Sequence, residues 1–447
     1  QISIYIKANS KKKRSSEPNW TALLAEPSDE RQLMQNCLIL GGGLSGKAAE
    51  RLARLLGYSA AILSDAPGLD AVSAVAAADL IVTSPGVKPL SSPLWQAAVR
   101  RAEQGECEFL GELEFGFRHW PGKVLAVTGT NGKTTTTELT VALLQAAGVD
   151  ARPAGNIGFP LSDLSADLLE GKLSADALPV VEVSSFQLER ADTFAPLAAA
   201  LLNLESDHED RYAGGFDEYV AVKKRIFDRV ATENRVYGLS MDSPVPRRVT
   251  VYGDAMMIDG DGILIDLGNT ALSAPHNREN LAAAVELCLR VLPPDAVLSP
   301  DFRLAVHTFQ PGKHRLELVA EKDGIRYVDD SKATNPASVV AALRATPGWV
   351  VILLGGLDKG MDFSPLAPWA EKIRFAVLYG ECRKKVAAAL PASIPAADCG
   401  TDFGLAVRTA REHAEPGDTV LLSPACASMD MFRDYKERGD RFAQLVQ

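Results

Sequence analysis

The sequence predicts an α/β protein of three domains whose parallel sheets are flanked by helices: N-terminal Rossmann-like, central P-loop ATPase-like and C-terminal Rossmann-like. Three observations predict this. At 447 residues the chain is too long for one ordinary core, and about 100–200 residues per domain gives three. Short apolar runs alternate with helical patterns along most of it, and strands separated by helices imply parallel sheets. Two glycine-rich turns, Gly41–Gly46 and Gly129–Thr135, each sit between an apolar run and a helical pattern, where a helix N-terminus gathers N–H groups around phosphate.

The first unit is read over residues 36–120. The apolar strand Cys37–Leu40 enters GGGLSG, a helical pattern runs through Leu56, and a second strand, Ala60–Leu63, ends at Asp65. An acidic residue about 20 positions beyond such a turn is placed to meet a ribose hydroxyl. A third strand, Asp79–Thr83, runs into Ser84-Pro85-Gly86. Taken alone, this unit reads equally as a dehydrogenase half.

The central unit, 121–311, opens with the strand Lys123–Val127, then Thr128-Gly-Thr-Asn-Gly-Lys-Thr-Thr135, then a helix over Thr136–Ala147. Gly129, Gly132, Lys133 and Thr134 stand where a phosphate loop needs them: N–H groups face the phosphates, Lys133 adds charge and the Thr134 hydroxyl can take Mg²⁺. The loop is GTNGKT, shorter than the common GxxxxGK[ST]. A nicotinamide-dependent oxidoreductase leaves it unexplained. The last unit, 312–447, holds strands at Trp349–Leu354, Phe375–Tyr379 and Thr419–Leu422, and helices at Pro336–Ala345 and Phe403–Ala414.

Composition narrows the classes. Hydrophobic residues are 47%, charged 23% and aromatic 6%, the balance of a globular protein. No uncharged apolar run approaches the roughly 18–20 residues of a membrane helix, and no signal-peptide pattern is present, so a cytoplasmic protein without membrane insertion is expected. The net charge of -10 argues against nucleic acid as a partner. The six cysteines, Cys37, Cys107, Cys288, Cys382, Cys399 and Cys426, form no CxxC pair and read as reduced thiols. Residues 1–35, with Lys11-Lys12-Lys13-Arg14 and no initiator Met, are expected to be a flexible leader.

From Leu38 to the C-terminus an ordered series of strings resembles the Mur ligases. After GGGLSG and TGTNGKTT come GNIG at Gly155, EVSSFQLE at Glu182, DHEDRY at Asp207, VKKRIF at Val222 and HNREN at His276. KHRLE at Lys313, DDSKATNP at Asp329, GGLDKG at Gly355 and SPACASMDMFRDYKERG at Ser423 complete it. SSFQL, DSKATNP and SPACAS resemble the D-glutamate-adding branch, and the DNPR string of the diaminopimelate- or lysine-adding branch is missing. The L-alanine-adding branch is the nearest rival, and folylpolyglutamate synthase, which lacks the N-terminal half, a distant one.

The resemblance implies an ATP-dependent amide ligase that couples D-glutamate to UDP-N-acetylmuramoyl-L-alanine through an acyl phosphate, with UDP-N-acetylmuramoyl-L-alanine, D-glutamate and ATP as its partners and a monomeric assembly. ATP is expected on Gly129, Thr130, Asn131, Gly132, Lys133, Thr134, Thr135, Asn277, Asn280, Arg315 and Asp330, with Lys133, His208, Lys223 and Lys332 as catalytic residues. Two Mg²⁺ ions are expected on Thr134, Glu182, His208 and Lys223, the last carbamylated; Lys223 without the resemblance reads as part of a basic helix face. The UDP-substrate is assigned to Leu44, Ser45, Gly46, Asp65, Ser84, Asn156, Ser184, Gln187 and Arg211, with Ala66-Pro67 departing from the Thr-Arg found beside uracil in relatives. D-Glutamate is assigned to Thr334, Lys359, Ser428 and Tyr435, although Leu357-Asp358 replaces an Asp-Gly of some relatives. Ser428 and Tyr435 also read as a helix cap and a packed ring. A non-catalytic nucleotide sensor would not need Lys133, Glu182, His208 and Lys332 together. Closure of the last unit about a hinge near Gln310–Gly312 is expected to complete the site.

Overall fold

The computed structural model describes residues 35–207, 211–259, 263–268, 270–297 and 299–447. The expected leader and His208 therefore lie outside the described residues.

The first sheet has the strands β1 (Asn36–Leu40), β2 (Ser59–Leu63), β3 (Leu80–Thr83) and β4 (Glu108–Gly111) in the order β2-β1-β3-β4, all parallel. The turn after β1 leads directly into the helix Leu44–Leu55. A Cβ at Gly46 would lie 1.9 Å from the Gly41 carbonyl oxygen, so only glycine lets the helix start this close to the strand.

The central sheet comprises β5 (Leu125–Thr128), β6 (Ala151–Gly155), β7 (Leu178–Glu182), β8 (Ala198–Leu201) and β9 (Arg235–Tyr237), ordered β6-β7-β5-β8-β9 and parallel. β5, β7 and β8 are buried along their whole length, as strands covered on both faces must be. A three-stranded antiparallel sheet that the sequence reading did not anticipate follows: β10 (Val249–Tyr252), β11 (Ala255–Ile258) and β12 (Ile263–Asp266). Its inward residues Val249, Met256, Ile258 and Ile265 join the core of the phosphate-loop helix.

The last sheet has β13 (Glu317–Lys322), β14 (Ile325–Asp329), β15 (Val350–Gly355), β16 (Ile373–Tyr379), β17 (Ala396–Asp398) and β18 (Thr419–Leu422), ordered β13-β14-β18-β15-β16-β17. All pairs are parallel except β13 with β14, so an antiparallel edge strand is added to the expected parallel sheet. Local caps fix the helices here: Asn335 accepts from the Ser338 N–H ahead of Pro336, and Asp402 and Asp434 cap the next two long helices.

The first and central sheets are joined by a dense seam. The helix Glu112–Arg118 sends Leu113 into the central core and Phe115 into the first. Burial pushes the Glu112 carboxyl up to about 7, and one of its oxygens accepts from the Ser162 N–H at 2.9 Å. Arg51 pairs with Asp163, Asp167 and Glu170 on the facing helix. At Gly116 an added Cβ would stand 2.5 Å from the Ser162 nitrogen and 2.7 Å from the Leu161 carbonyl carbon. Backbone cannot rotate away, so Gly116→Ala is expected to lose about 1–3 kcal/mol through overpacking, against a helix-propensity gain of about 1 kcal/mol. A fall in the urea midpoint of unfolding measures the net loss, and an unchanged or raised midpoint contradicts it.

Candidate active site

The carboxyl ends of adjacent parallel strands converge on one place. β5 delivers the loop Gly129–Thr135, β7 delivers Glu182, and the segment after β8 delivers Asn203, Glu205 and Asp207. The helix Lys133–Ala146 begins straight from Gly132, whose φ is +81°, three residues before its expected start. Lys133 and Thr134 thus lie in the first turn, where N–H groups are unsatisfied and favour anions. A Cβ at Gly132 would fall 2.2 Å from Asn280 Oδ1, so Asn280, on the helix Pro275–Cys288, packs directly on the loop. Asn280 also accepts from Thr136 Oγ1 at 3.3 Å, while Asn277 donates to the Ala271 carbonyl at 3.0 Å.

Two lysine side chains share one carbonyl. Lys133 donates to the Gly129 and Thr130 oxygens at 2.8 and 2.7 Å, and Lys223 donates to the same Gly129 oxygen at 2.8 Å. Burial lowers Lys133 from the usual lysine range, against the pull of Glu182 and Asp207. Lys223 falls well below that range through burial and then through the charge of Lys133. Glu182 is 1% exposed. Its Oε1 accepts from Asn156 Nδ2 at 2.7 Å, and its Oε2 has no hydrogen-bond partner. An orphaned carboxylate oxygen is costly. With the Thr134 hydroxyl lining the same cavity, it fits a hard divalent cation such as Mg²⁺.

The last sheet closes the cavity from the other side. Lys332, after β14, donates to Thr134 Oγ1 at 3.0 Å and lies 5.0 Å from the Tyr435 ring centroid. Asn335 donates to Asn131 Oδ1 at 3.2 Å and to Asp207 Oδ2 at 3.4 Å, and Ser338 donates to Asn131 Oδ1 at 2.6 Å. The cavity volume is ≈ 290 Å³, with Arg315, Asp330, Thr334 and Tyr435 on its wall. Burial lowers Lys332 to about 7, helped by Arg315, and raises Asp330 to about 7. Asp330 accepts from Ser423 Oγ at 2.8 Å and from the Leu316 N–H at 3.3 Å. Arg315 stands between two left-handed residues, His314 (φ +64°) and Leu316 (φ +49°), a strained backbone of the kind concentrated at functional sites.

Other expected residues are placed as follows. Leu44, Ser45, Gly46, Asp65 and Ser84 lie at the carboxyl edge of the first sheet. Ser84 Oγ donates to the Gly41 carbonyl at 3.1 Å, and Asp65 accepts from the Leu94 N–H at 3.1 Å. Asn156 reaches the cavity itself. Ser184 and Gln187 form a capping box on the short helix Ser185–Leu188. Arg211 is committed to Glu189 at 2.6 and 2.7 Å and to the Val87 carbonyl at 3.1 Å. Thr334 and Tyr435 line the cavity, whereas Lys359 and Ser428 stand on the neighbouring loops after β15 and β18. Those two loops are held together by the Leu357 N–H to the Ala427 carbonyl at 2.8 Å.

A phosphate loop roofed by lysines, next to an orphaned carboxylate, is paired here with a glycine turn on a separate parallel sheet. Residues 127–251 match the Mur ligase middle domain and residues 314–426 the Mur ligase glutamate ligase domain. A UDP-N-acetylmuramoylalanine--D-glutamate ligase of Aromatoleum aromaticum is 39% identical, over 91% of this chain and 96% of its own length. The chain belongs to the Mur ligase family. A second D-glutamate ligase, of Aquifex aeolicus, is 34% identical over 92% of this chain and 98% of its own length. In fold, this Mur ligase resembles a pseudomurein peptide ligase type C from Methanothermus fervidus, with a TM-score of 0.56, 17% identity, and coverage of 92% and 100% of the two chains.

Several contacts of the Mur ligase site escaped the sequence reading. Asp207 was visible in the DHEDRY string without a role; Asn335 and Ser338 follow DDSKAT, and their cross-contact with Asn131 has no local signal. His276 lines the cavity, and burial with Arg315 lowers it to about 4. The Lys332 ammonium gives a test. Its charge is present below about 7 and lost above, so kcat/KM for ATP, which reports the free enzyme, is expected to fall as pH rises through about 7. Lys332→Arg keeps its charge and is expected to move that limb upward. A limb unmoved in the arginine variant would transfer it to Asp330, which titrates in the same window.

Proposed function

We propose that the chain joins the amine of D-glutamate to the carboxyl group of UDP-N-acetylmuramoyl-L-alanine, converting ATP to ADP and phosphate, in peptidoglycan precursor synthesis. The observation that carries this reading is the contact of Lys332 with Thr134 at 3.0 Å, which brings the strand ends of the last sheet onto the phosphate loop of a Mur ligase. The identity to D-glutamate ligases over nine-tenths of the chain and the SSFQL, DSKATNP and SPACAS strings favour D-glutamate over L-alanine.

A carboxylate is a poor electrophile, and hydroxide a poor leaving group. Transfer of the γ-phosphoryl group gives an acyl phosphate; the amine attacks it, and the tetrahedral intermediate expels phosphate. Both steps gather negative charge, and preorganised cations supply most of the catalysis in such chemistry. Lys133 and the N–H groups of Gly129–Thr135 hold the triphosphate. Lys332 and Arg315 face it from the last sheet, and Asn277 and Asn280 flank the adenine side. Thr134 and Glu182 would hold Mg²⁺, which supplies charge neutralisation at phosphate oxygens. Carbamylation of Lys223 needs a neutral amine, and its lowered pKa meets that need; a second Mg²⁺ on this carbamate and His208 belongs to the same proposal. Asp330 is assigned to the ribose.

The division of labour follows the sheets: residues 36–120 for the UDP moiety, 121–311 for ATP and 312–447 for the amino acid. The UDP-substrate runs from the Gly41–Gly46 turn past Ser84 and Arg211 to Asn156 at the cavity. D-Glutamate occupies Thr334, Lys359, Ser428 and Tyr435. The protein acts in the cytoplasm as a monomer.

Phosphate release from ATP is the test, with Mg²⁺, UDP-N-acetylmuramoyl-L-alanine and D-glutamate, L-glutamate, L-alanine or a diamino acid. Stimulation by D-glutamate alone, with a product heavier by one glutamyl residue, is expected; stimulation by another amino acid would move the assignment to a sister ligase. Lys133→Ala is expected to reduce turnover by at least about a hundredfold while UDP-substrate affinity, measured by calorimetry, stays within about threefold. Equal loss of both would contradict the division between sheets.

A further inference from the structure

Arg438 lies on the helix Tyr435–Val446 and is 0% exposed. Its hydrogen bonds all reach neutral oxygens: Ser331 Oγ at 2.9 Å, the Ser331 carbonyl at 2.7 Å, Cys426 at 3.1 Å, Ala427 at 3.4 Å and Gly355 at 3.5 Å. These oxygens lie on the loops that leave β14 and β18 and on the last residue of β15, where its loop begins. The same loops carry Lys332 next to Ser331, Ser428 next to Ala427, and Lys359 four residues beyond Gly355. Ser331 Oγ passes the network on by donating to the Tyr435 carbonyl at 2.8 Å. Room is made for the fork at Gly356, where an added Cβ would lie 3.2 Å from Arg438 Nη1 and 2.1 Å from the Ala427 carbonyl oxygen.

A buried guanidinium bonded to neutral oxygens is a costly way to fill space, and an apolar side chain of similar volume packs as well. What arginine alone supplies is a rigid plane of five donors. Lysine's donors radiate from one point and cannot span three loops.

We infer that Arg438 is a positioning residue for the amino-acid half of the site: its guanidinium sets the mutual spacing of the loops bearing Lys332, Lys359 and Ser428. The inference rests on the D-glutamate reading above. It touches no reacting atom and acts through these loops.

The test is steady-state phosphate release by the full-length chain carrying Arg438→Lys, Arg438→Met or Arg438→Ala, with circular dichroism and thermal melts to follow folding. KM for D-glutamate is expected to rise about tenfold or more in each, because small misplacements at a site are costly, while KM for the UDP-substrate stays within about threefold. Millimolar guanidinium is expected to restore part of the D-glutamate kcat/KM to Arg438→Ala and to leave the parent unchanged. If the alanine variant does not fold, Arg438→Met, which keeps the packed stem without the fork, carries the test. An unchanged KM for D-glutamate in the folded lysine and methionine variants, or an equal rise in KM for all three substrates, overturns the inference. Failure of the parent chain to respond to D-glutamate overturns the functional reading instead, and the amino acid that does stimulate then becomes the one whose KM is read.

Discussion

The Gly129 carbonyl oxygen accepts from two lysine side chains, Lys133 and Lys223, each at 2.8 Å, and the rest of the site is organised around that crowding of amino groups. Like charges this close in a buried place raise each other's energy. The last sheet adds Lys332 and Arg315 to the same cavity. A polyanion turns the set from mutually repulsive to jointly attractive. The bonds that span the seam next to the cations, Asn335 and Ser338 to Asn131, are between neutral groups and persist whatever the charge state. With ATP on the phosphate loop, as proposed above, triphosphate binding and the contact of the last sheet favour one another, a coupling that runs equally in both directions.

The strands β1, β2, β3, β5, β15, β16 and β18 and both glycine turns are legible in the sequence, because buried parallel strands are near-continuous apolar runs and the turns need glycine at fixed places. β18, Thr419–Leu422, and the helix Pro336–Ala345 have the expected bounds; the latter carries its own signals in Asn335 and Pro336. The phosphate-loop helix starts at Lys133 rather than the expected Thr136, in a stretch where Thr134 and Thr135 are β-branched and disfavour helix locally. Tertiary packing overrides that preference: both are buried. The antiparallel strands β10–β12 and β13 were missed for a different reason. Strands β10, β11 and β13 are partly exposed, without the unbroken apolar run that marks the central strands.

Within the site, legibility followed chain distance. Residues inside one turn, such as Gly129, Lys133 and Thr134, declare a shared task by spacing. Lys332 and Thr134 are 198 positions apart, and Asn335 and Asn131 are 204 apart, so no periodicity joins them. Arg438 is harder still, since a basic residue near the chain end reads as a solvated charge. Its burial follows only from where the helix Tyr435–Val446 packs, with Phe442 and Val446 in the core.

The two seams of the molecule are held in different ways. Between the first and central sheets, apolar residues are shared between cores, Glu112 is buried against Ser162, and Gly116 leaves no space for a methyl group. Opening that seam would expose apolar surface and strip a buried carboxyl of its partner, costs that add. Across the second seam the central core ends at Phe309 and the last one starts at Leu316, and the named contacts are side-chain hydrogen bonds that water can replace. Pro311-Gly312 lies between them. The first seam therefore fixes the distance from the Gly41–Gly46 turn to the phosphate loop more firmly than the second fixes the last sheet. In the function proposed above, that first distance sets the length of substrate whose carboxyl group reaches the cavity, and the third sheet, held by exchangeable bonds, brings the amine to it.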